Sequence, residues 1–217
     1  MTLLKDKSAN VSSSIELLLQ KRWSPRAFSE QMVEPEKLCI LFEAARWAAS
    51  SYNEQPWSFI VTTKDNQDRY DRLLSCLAEF NQQWAQNAPV LMLSVAKLTF
   101  KKNGKENRHA FYDVSSALAN LAIQATALDI FIHQMAGFDV EKARSLFDIP
   151  QGYEPVTAIA VGYGGDSQTL PEKLYQREIA PRTRKPLSNF VFADSWGKTL
   201  PLVANYQNER KDSGERN

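Results

Sequence analysis

The spacing of hydrophobic positions along the chain changes several times between helical and strand-like periods. Apolar side chains recur every three or four residues after Pro35, namely Leu38, Leu41, Phe42, Ala45 and Ala48. Proline is well tolerated in a first helical turn, so this pattern predicts an amphipathic helix over residues 35–49. Closer to the start, the serines at 12–14 followed by the apolar run 15–19 predict a capped, short helix.

Four short runs rich in apolar side chains predict β-strands. They are residues 57–63, 89–96, 131–135 and 156–161. The first of them follows a polar segment that contains a proline, residues 50–56, and we expect that segment to form a loop.

The longest uninterrupted pattern lies between residues 109 and 128, where the sequence contains neither glycine nor proline. Apolar side chains mark one face at Phe111, Val114, Leu118, Leu121, Ala125 and Leu128. Because the other face is also mostly small and apolar, we expect a long, central helix that is buried on several sides. Shorter helices are predicted for residues 67–79 and 140–147.

Beyond Gly164 and Gly165 the chain becomes polar, basic and rich in proline, which predicts an extended C-terminal arm. The order of elements predicts an α+β fold in which helices flank a central, mostly antiparallel sheet. We expect a single domain over residues 1–217, with the core and arm within residues 15–192. Residues 1–14 and 207–217 are expected to be flexible.

Composition narrows the possible classes of function. The 43% of hydrophobic residues suffice for a substantial core, and a net charge of +1 gives no overall attraction to nucleic acid or an anionic membrane. Two cysteines without CxxC spacing and two histidines do not make a usual metal cluster, so no metal is expected. The N-terminus carries no apolar signal region, and no apolar run approaches the ~20 residues that span a bilayer, which predicts a cytoplasmic protein.

Two basic clusters lie far apart in the sequence, KRWSPR at residues 21–26 and RTRK at residues 182–185. Arginine presents a planar fork of donors that matches phosphate oxygens, so the clusters would form a phosphate site if folding brought them together. Such runs are also common on solvated surfaces, and the composition leaves both interpretations open.

The first cluster resembles the opening motif of the nitroreductase family, Arg-x-Ser-x-Arg/Lys. Arg22, Ser24 and Arg26 occur at the same spacing, with Trp23 between the first two. In that family the segment holds the phosphate and ribityl chain of FMN. The resemblance therefore implies that these four residues belong to an FMN site.

A second block resembles the family's Pro-Ser-Ser-x-Asn-x-Gln-Pro-Trp segment, which follows a helix. Here Ser50, Ser51, Asn53 and Gln55 match, while Ala49 stands where the family usually has proline. In the family this loop reaches the flavin that is bound mainly by the other subunit. The resemblance therefore implies an interlocked homodimer with FMN at the subunit interface.

Further matches follow in the same order along the chain. Asn81 resembles the asparagine that hydrogen-bonds the isoalloxazine edge, and its amide can both donate and accept. Ala136 and Gly137 resemble the loop whose backbone amides approach flavin N5 and O4, where glycine permits a close approach to a ring. Arg182 and Arg184 resemble the C-terminal basic pair at the phosphate.

Each match also has a purely structural interpretation. Asn53 and Gln55 would satisfy loop backbone, Gly137 would form a turn before a helix cap, and Trp57 would be a core residue. The order of the matches along the chain favours the functional interpretation.

Three features stay open at this point. His133 lies in a predicted strand and is expected to be a core residue. Trp23 and Trp84 are compatible with lining the substrate side or with packing. The lysine-rich stretch 97–107 is compatible with a lid over the pocket.

The resemblance implies an FMN-dependent oxidoreductase that takes hydride from NAD(P)H through flavin N5 and passes it to nitroaromatics, quinones or similar acceptors in a ping-pong cycle. No side chain is expected to act as a nucleophile or obligatory base, so no catalytic residue is assigned. Ala136 stands where some members have a glutamate, which leaves the acceptor open. The alternatives are a specialised flavoenzyme of the same fold, such as an enone reductase, dehalogenase or flavin-fragmenting enzyme, or a flavin-binding protein without turnover.

Overall fold

The computed structural model describes residues 7–9 and 15–212, with the side chains of 207–212 excepted. The predicted cap at residues 12–14 lies outside the described residues, as do residues 1–6, 10–14 and 213–217 of the two segments predicted to be flexible.

Eight helices and four strands occur in these ranges. They are α1 Leu17–Lys21, α2 Pro35–Arg46, β1 Trp57–Thr63, α3 Gln67–Leu74, α4 Glu79–Ala85, β2 Val90–Lys97, α5 Ala110–Ala127, β3 Phe131–Met135, α6 Val140–Leu146, β4 Tyr153–Gly162, α7 Glu172–Ile179 and α8 Pro201–Asp212. Single 3-10 turns lie at Ser51–Asn53, Ser167–Thr169 and Leu187–Asn189. No helix in the described ranges is long and apolar enough to cross a membrane.

The four strands form one antiparallel sheet in the order β1-β2-β4-β3. The register places Ile60 opposite Leu93, Leu93 opposite Ala158, and Ala158 opposite Met135. Strands β2 and β4 are therefore internal, and β1 and β3 form the two edges. The predicted α+β fold with a mostly antiparallel sheet is confirmed.

Side chains of the internal strands alternate between two apolar layers, because successive residues of a strand point to opposite faces. Met92 and Ile159 pack with residues of α2 and α5 on one face. Leu93 and Ala158 pack with residues of α3, α4, α6 and α7 on the other. This double burial explains why β2 is apolar at all positions except Ser94 and Lys97, rather than alternating.

The chain divides into two compact units. Among the described residues, the first is Arg22–Ile179, which contains the sheet and helices α2 to α7. The second comprises residues 7–9, 15–21 and 180–212, with helices α1 and α8. The single domain over residues 1–217 stays a prediction.

The predicted strands and the helices before residue 150 are present, with shifted ends. The helix predicted for residues 67–79 ends at Leu74, because Leu77 pairs instead with Phe138 in an isolated β-bridge. Helix α4 follows it and was not predicted. In the predicted arm, residues 180–186 form no regular element, but α7 and α8 are helices. Pro171 and Pro201 stand at the starts of these helices, where proline is tolerated.

The predicted buried face of helix α5 is confirmed at Val114, Leu118, Leu121 and Ala125, but not at Phe111. Ala110, Asp113 and Ala117 are buried, whereas Phe111 is 46% exposed and Tyr112 is 72% exposed. The prediction for Phe111 was wrong because small side chains, rather than the aromatic one, face the sheet and α2 in the first turns. The two exposed aromatic side chains leave an apolar surface on this unit.

Candidate functional site

The segment from Arg22 to Arg26 is extended and alternates between inward and outward side chains. Trp23 and Pro25 are buried, whereas Arg22, Ser24 and Arg26 are half-buried. Period-two alternation places the three matched polar residues on one side of the segment. The Nη1 of Arg22 donates to Ser24 Oγ at 3.3 Å, so these two side chains lie together.

Strand β3 holds this segment at its edge of the sheet. The Nδ1 of His133 lies 2.8 Å from the carbonyl oxygen of Pro25, and Trp23 packs edge-to-face on Phe131 with ring centroids 6.0 Å apart. Trp23 is only 8% exposed and packs against the sheet edge, while its assignment to an FMN site stays a prediction. Trp84 is fully buried and lies against His133, which makes it a core residue as well.

A buried carboxylate fixes the other end of the segment. Glu178 of α7 is 2% exposed and accepts hydrogen bonds from the backbone N–H groups of Arg26 at 2.9 Å and Ala27 at 3.2 Å. Its Oε2 also lies 3.8 Å from Nη1 of Arg26. Sequence reasoning missed Glu178, because a contact between residues 152 positions apart leaves no local signal.

The structure brings together Asn81 and Gly137, which the sequence separates by 56 positions. The Nδ2 of Asn81 donates to the carbonyl oxygen of Gly137 at 2.9 Å, and the N–H of Ala78 donates to the same oxygen at 3.0 Å. An isolated antiparallel β-bridge between Leu77 and Phe138 adds to the contact between the same two segments. The loop after β3 is therefore fixed on the start of α4.

Space, rather than backbone conformation, requires glycine at position 137. Its φ lies outside the left-handed region, and a Cβ built there would lie 2.8 Å from Asn81 Nδ2. Among the described residues, the N–H of Gly137 donates to no protein acceptor, and Ala136 beside it is exposed. The loop thus presents an open surface and a free donor next to the Asn81 amide.

The loop from Ser50 to Gln55 has an unusual backbone. Tyr52, Asn53 and Gln55 have positive φ angles of 53°, 55° and 52°, although none is glycine. Such residues cost roughly 1–3 kcal/mol each and cluster at functional sites. The loop is held by hydrogen bonds from the N–H of Gln55 to Ser50 Oγ at 3.0 Å and from the N–H of Ser51 to a carboxyl oxygen of Asp113 at 3.1 Å. The side chains of Asn53 and Gln55 remain exposed.

The two groups of candidate residues lie at opposite edges of the sheet. The Ser50–Gln55 loop leads into β1, at one edge. The Arg22–Arg26 segment contacts β3, at the other edge, and Gly137 follows β3 in the chain. Three strand spacings separate β1 from β3, or about 14 Å across the sheet. The first unit therefore holds two separate groups of candidate residues rather than one cluster.

Arg182 and Arg184 belong to the second unit. Nη1 of Arg182 donates to the carbonyl oxygens of Lys7 at 2.7 Å and Gln20 at 2.8 Å, so this side chain joins the two chain segments of that unit. Burial is the main cause that lowers the pKa of Arg182, with a smaller contribution from Arg184. Arg184 is exposed and lines an open, largely apolar groove with Lys185.

No group of histidine, cysteine, aspartate and glutamate side chains that could hold a metal ion occurs among the described residues. His133 is the one histidine in the neighbourhood of the candidate site that has a perturbed pKa. Burial, reinforced by the positive charges of Arg26 and Arg22, lowers its pKa to about 4 despite the hydrogen bond to Pro25. His133 is thus a half-buried, hydrogen-bonded residue whose imidazole is neutral near pH 7.

This pKa predicts a loss of stability in acid. The histidine of the unfolded chain, with a pKa near 6.5, binds a proton before the folded one does, so the free energy of unfolding falls as the pH drops from 6.5 towards 4. The lowered pKa of His133 corresponds to a loss of about 3 kcal/mol in the free energy of unfolding over this pH range. The His133→Gln variant has no imidazole at this position and should not show this loss. Urea denaturation of both proteins at several pH values checks this, and equal pH slopes would contradict it.

Comparison with known proteins places this geometry in a family. Residues 19–163 match the sequence model of the Nitroreductase family. An uncharacterised 15.4 kDa protein of Mycolicibacterium smegmatis is 33% identical over 142 residues, which cover 64% of this chain and 92% of that protein. The major NAD(P)H-flavin oxidoreductase of Aliivibrio fischeri is 25% identical over 214 residues, covering 80% of this chain and 95% of that protein.

Solved structures with a similar fold point to the same family. A crystal structure described as an oxidoreductase containing FMN superposes with a TM-score of 0.83 at 30% identity, covering 91% of this chain and all of that one. A nitroreductase family protein of Clostridium difficile gives a TM-score of 0.64 at 27% identity, covering 82% of this chain and 96% of the other. The sequence match extends over more than half of the chain, and the chain belongs to the nitroreductase family.

Proposed function

We propose that the protein is an FMN-dependent oxidoreductase, which works as a homodimer and uses NAD(P)H to reduce small electron-poor acceptors such as nitroaromatics or quinones. The observation that carries the proposal is the junction of Asn81 with Gly137, where a side-chain amide lies beside an exposed glycine whose N–H donates to no acceptor among the described residues. Two relatives support it by name, the oxidoreductase containing FMN and the NAD(P)H-flavin oxidoreductase of Aliivibrio fischeri.

The chemistry of the residues fits FMN. A flat ring needs a surface without side chains, and the exposed backbone at Gly137 offers one. A pyrimidine edge needs alternating donors and acceptors, which the Asn81 amide and the N–H of Gly137 supply. A phosphate needs charged donors, and Arg22 with Ser24 provides a guanidinium and a hydroxyl on one side of the extended segment.

We assign these residues by what they would hold. Arg22, Ser24, Arg26, Arg182 and Arg184 would hold the phosphate and ribityl chain, although Arg182 and Arg26 also have structural hydrogen bonds or ion pairs. Asn81 and the backbone at Ala136 and Gly137 would hold the ring edge. Trp23 would support the segment from behind. FMN would supply the hydride-accepting and hydride-donating chemistry, while the chain would bind and orient it.

The remaining residues, Ser50, Ser51, Asn53 and Gln55, would serve the FMN of the partner subunit. Their loop lies at the β1 edge of the sheet, about 14 Å in strand spacings from the β3 edge. One chain therefore offers two half-sites, and a two-fold dimer would join the half-site of one copy to the complementary half-site of the other.

Exposed apolar side chains support a dimer surface near this loop. Ile40 and Trp47 at α2, Tyr52 in the loop, and Phe111 and Tyr112 on α5 are 44%, 74%, 92%, 46% and 72% exposed. Soluble monomers rarely expose this many large apolar groups on adjacent elements. Helices α2 and α5 pack against each other, so the exposed groups of α2 and α5 lie on adjacent elements.

The hairpin-like segment after β2 lies beside the same loop. The N–H of Lys101 donates to Glu54 at 2.6 Å, and the ring of Phe100 packs edge-to-face on Tyr52. We propose that residues 97–107 cover the pocket in the dimer.

Anaerobic reduction tests the activity. With FMN bound, the visible flavin absorption is expected to bleach on addition of NADH or NADPH and to return with a nitroaromatic or a quinone. Ping-pong turnover requires both half-reactions to proceed separately. A protein that keeps its FMN but is bleached by neither nucleotide would be a flavin-binding protein without turnover, contrary to the proposal.

A further inference from the structure

The one acidic side chain buried within helix α5 contacts the strained loop. Asp113 is 2% exposed, and its Oδ2 accepts the hydrogen bond from the N–H of Ser51 at 3.1 Å. Asp113 lies in the first turn of a helix whose other buried positions are apolar. A buried acid in such surroundings carries a desolvation cost, which the hydrogen bond from Ser51 helps to offset.

The bond is made at the position where the loop leaves ordinary backbone geometry. Ser51 begins a single 3-10 turn, and the next two residues, Tyr52 and Asn53, both have positive φ. The N–H groups of Asn53 and Glu54 donate to the carbonyl oxygens of Ser50 and Ser51 at 3.0 Å each. The loop's internal bonds are thus accepted by the residue that Asp113 fixes and by its neighbour, Ser50.

The two amide side chains of the loop are exposed to solvent in this chain. Asn53 and Gln55 are exposed, and the Nε2 of Gln55 donates only within the loop, to the carbonyl oxygen of Asn53 at 3.0 Å. A strained conformation persists only when the surrounding structure over-determines it. The loop has a second anchor, the hydrogen bond from the N–H of Lys101 to Glu54. This anchor follows the two positive-φ residues in the chain, whereas the bond from Ser51 to Asp113 lies directly before them.

We infer that Asp113 is a positioning residue, which holds the Ser50–Gln55 loop in the conformation that presents its two amide side chains to the cofactor of the partner subunit. The inference rests on the function proposed for the loop. Asp113 touches neither cofactor nor substrate and acts through the N–H of Ser51.

Three variants separate positioning from general stability. Asp113→Leu keeps the size but removes the acceptor, and Asp113→Asn keeps an acceptor oxygen for Ser51. Val114→Ala is the matched control, because Val114 is a fully buried neighbour on the same helix without a bond to the loop. Hydrogen exchange of the full-length protein without FMN and FMN affinity are measured for each.

In Asp113→Leu, the hydrogen-bonded amides of Ser51, Asn53, Glu54 and Gln55 should exchange roughly ten- to hundredfold faster, with a similar loss of FMN affinity, because the hydrogen bond that anchors the loop to α5 is removed. Asp113→Asn should restore most of both, and Val114→Ala should leave both near wild type once the protein is folded. Unchanged exchange in Asp113→Leu, or equal effects in Val114→Ala, would overturn the inference. If the wild-type protein bound no FMN, the proposed function would fail, whereas the exchange comparison would still decide whether Asp113 orders the loop.

Discussion

Two variants that are each inactive alone are expected to recover roughly one quarter of the wild-type activity when they are co-expressed. The first carries Arg22→Ala and Gly137→Val and loses the half-site at β3. The second carries Asn53→Ala and Gln55→Ala and loses the half-site at β1. In a mixed dimer, the intact β3 half-site of one chain meets the intact β1 half-site of the other, so one of its two sites is restored.

The fraction follows from random pairing. Roughly half of the dimers are mixed, and one site in two is intact in each of them. Differently tagged chains allow the mixed dimer to be isolated, where the restored fraction should rise to about one half. A site built within one chain predicts no recovery in either experiment, and light scattering should confirm that each variant remains a dimer.

Replacement of Arg22 or Arg184 by alanine is expected to weaken FMN binding by roughly one to two decades. Charge-assisted hydrogen bonds contribute about 1.5–3 kcal/mol each, and a tenfold change in affinity is about 1.4 kcal/mol. Because the phosphate is remote from the reacting end of the flavin, turnover of FMN-saturated variants should change little. Fluorescence titration at low salt and steady-state rates measure the two effects separately.

Arg69→Ala is the control for loss of a positive charge, because Arg69 is an exposed residue of α3 that is assigned to neither half-site. Its affinity for FMN should remain at the wild-type value. If Arg22→Ala and Arg184→Ala also keep wild-type affinity, the phosphate assignment is wrong, and both basic clusters are solvated surfaces.

The sequence pattern predicted the bounds of single strands and helices, because these depend on residues that are neighbours in the chain. The strand pattern of β1 gave its bounds, Trp57–Thr63, because β-branched and aromatic side chains alternate between flanking turn residues. The absence of glycine and proline between residues 109 and 128 predicted the bounds of α5 to within one residue at each end. Proline was a weaker guide, since Pro171 and Pro201 were taken as signs of an extended arm and instead precede or begin helices.

Contacts between distant residues could not be predicted from the sequence. Glu178 binds the backbone of Arg26 and Ala27, and Asp113 binds that of Ser51, but a lone acidic residue in a helix has no pattern that indicates a buried role. The resemblance named Asn81 and Gly137 separately. Only the fold showed that the two are bonded to each other and that the Ser50–Gln55 loop lies at the opposite edge.

The content of FMN tests the central claim most directly. Protein purified without added cofactor, or incubated with FMN and then desalted, should be yellow and should release about one FMN per subunit on denaturation. Quantification of the released flavin by absorbance and chromatography gives this ratio. Colourless protein that takes up no added FMN would contradict the assignment of a flavin site to these residues.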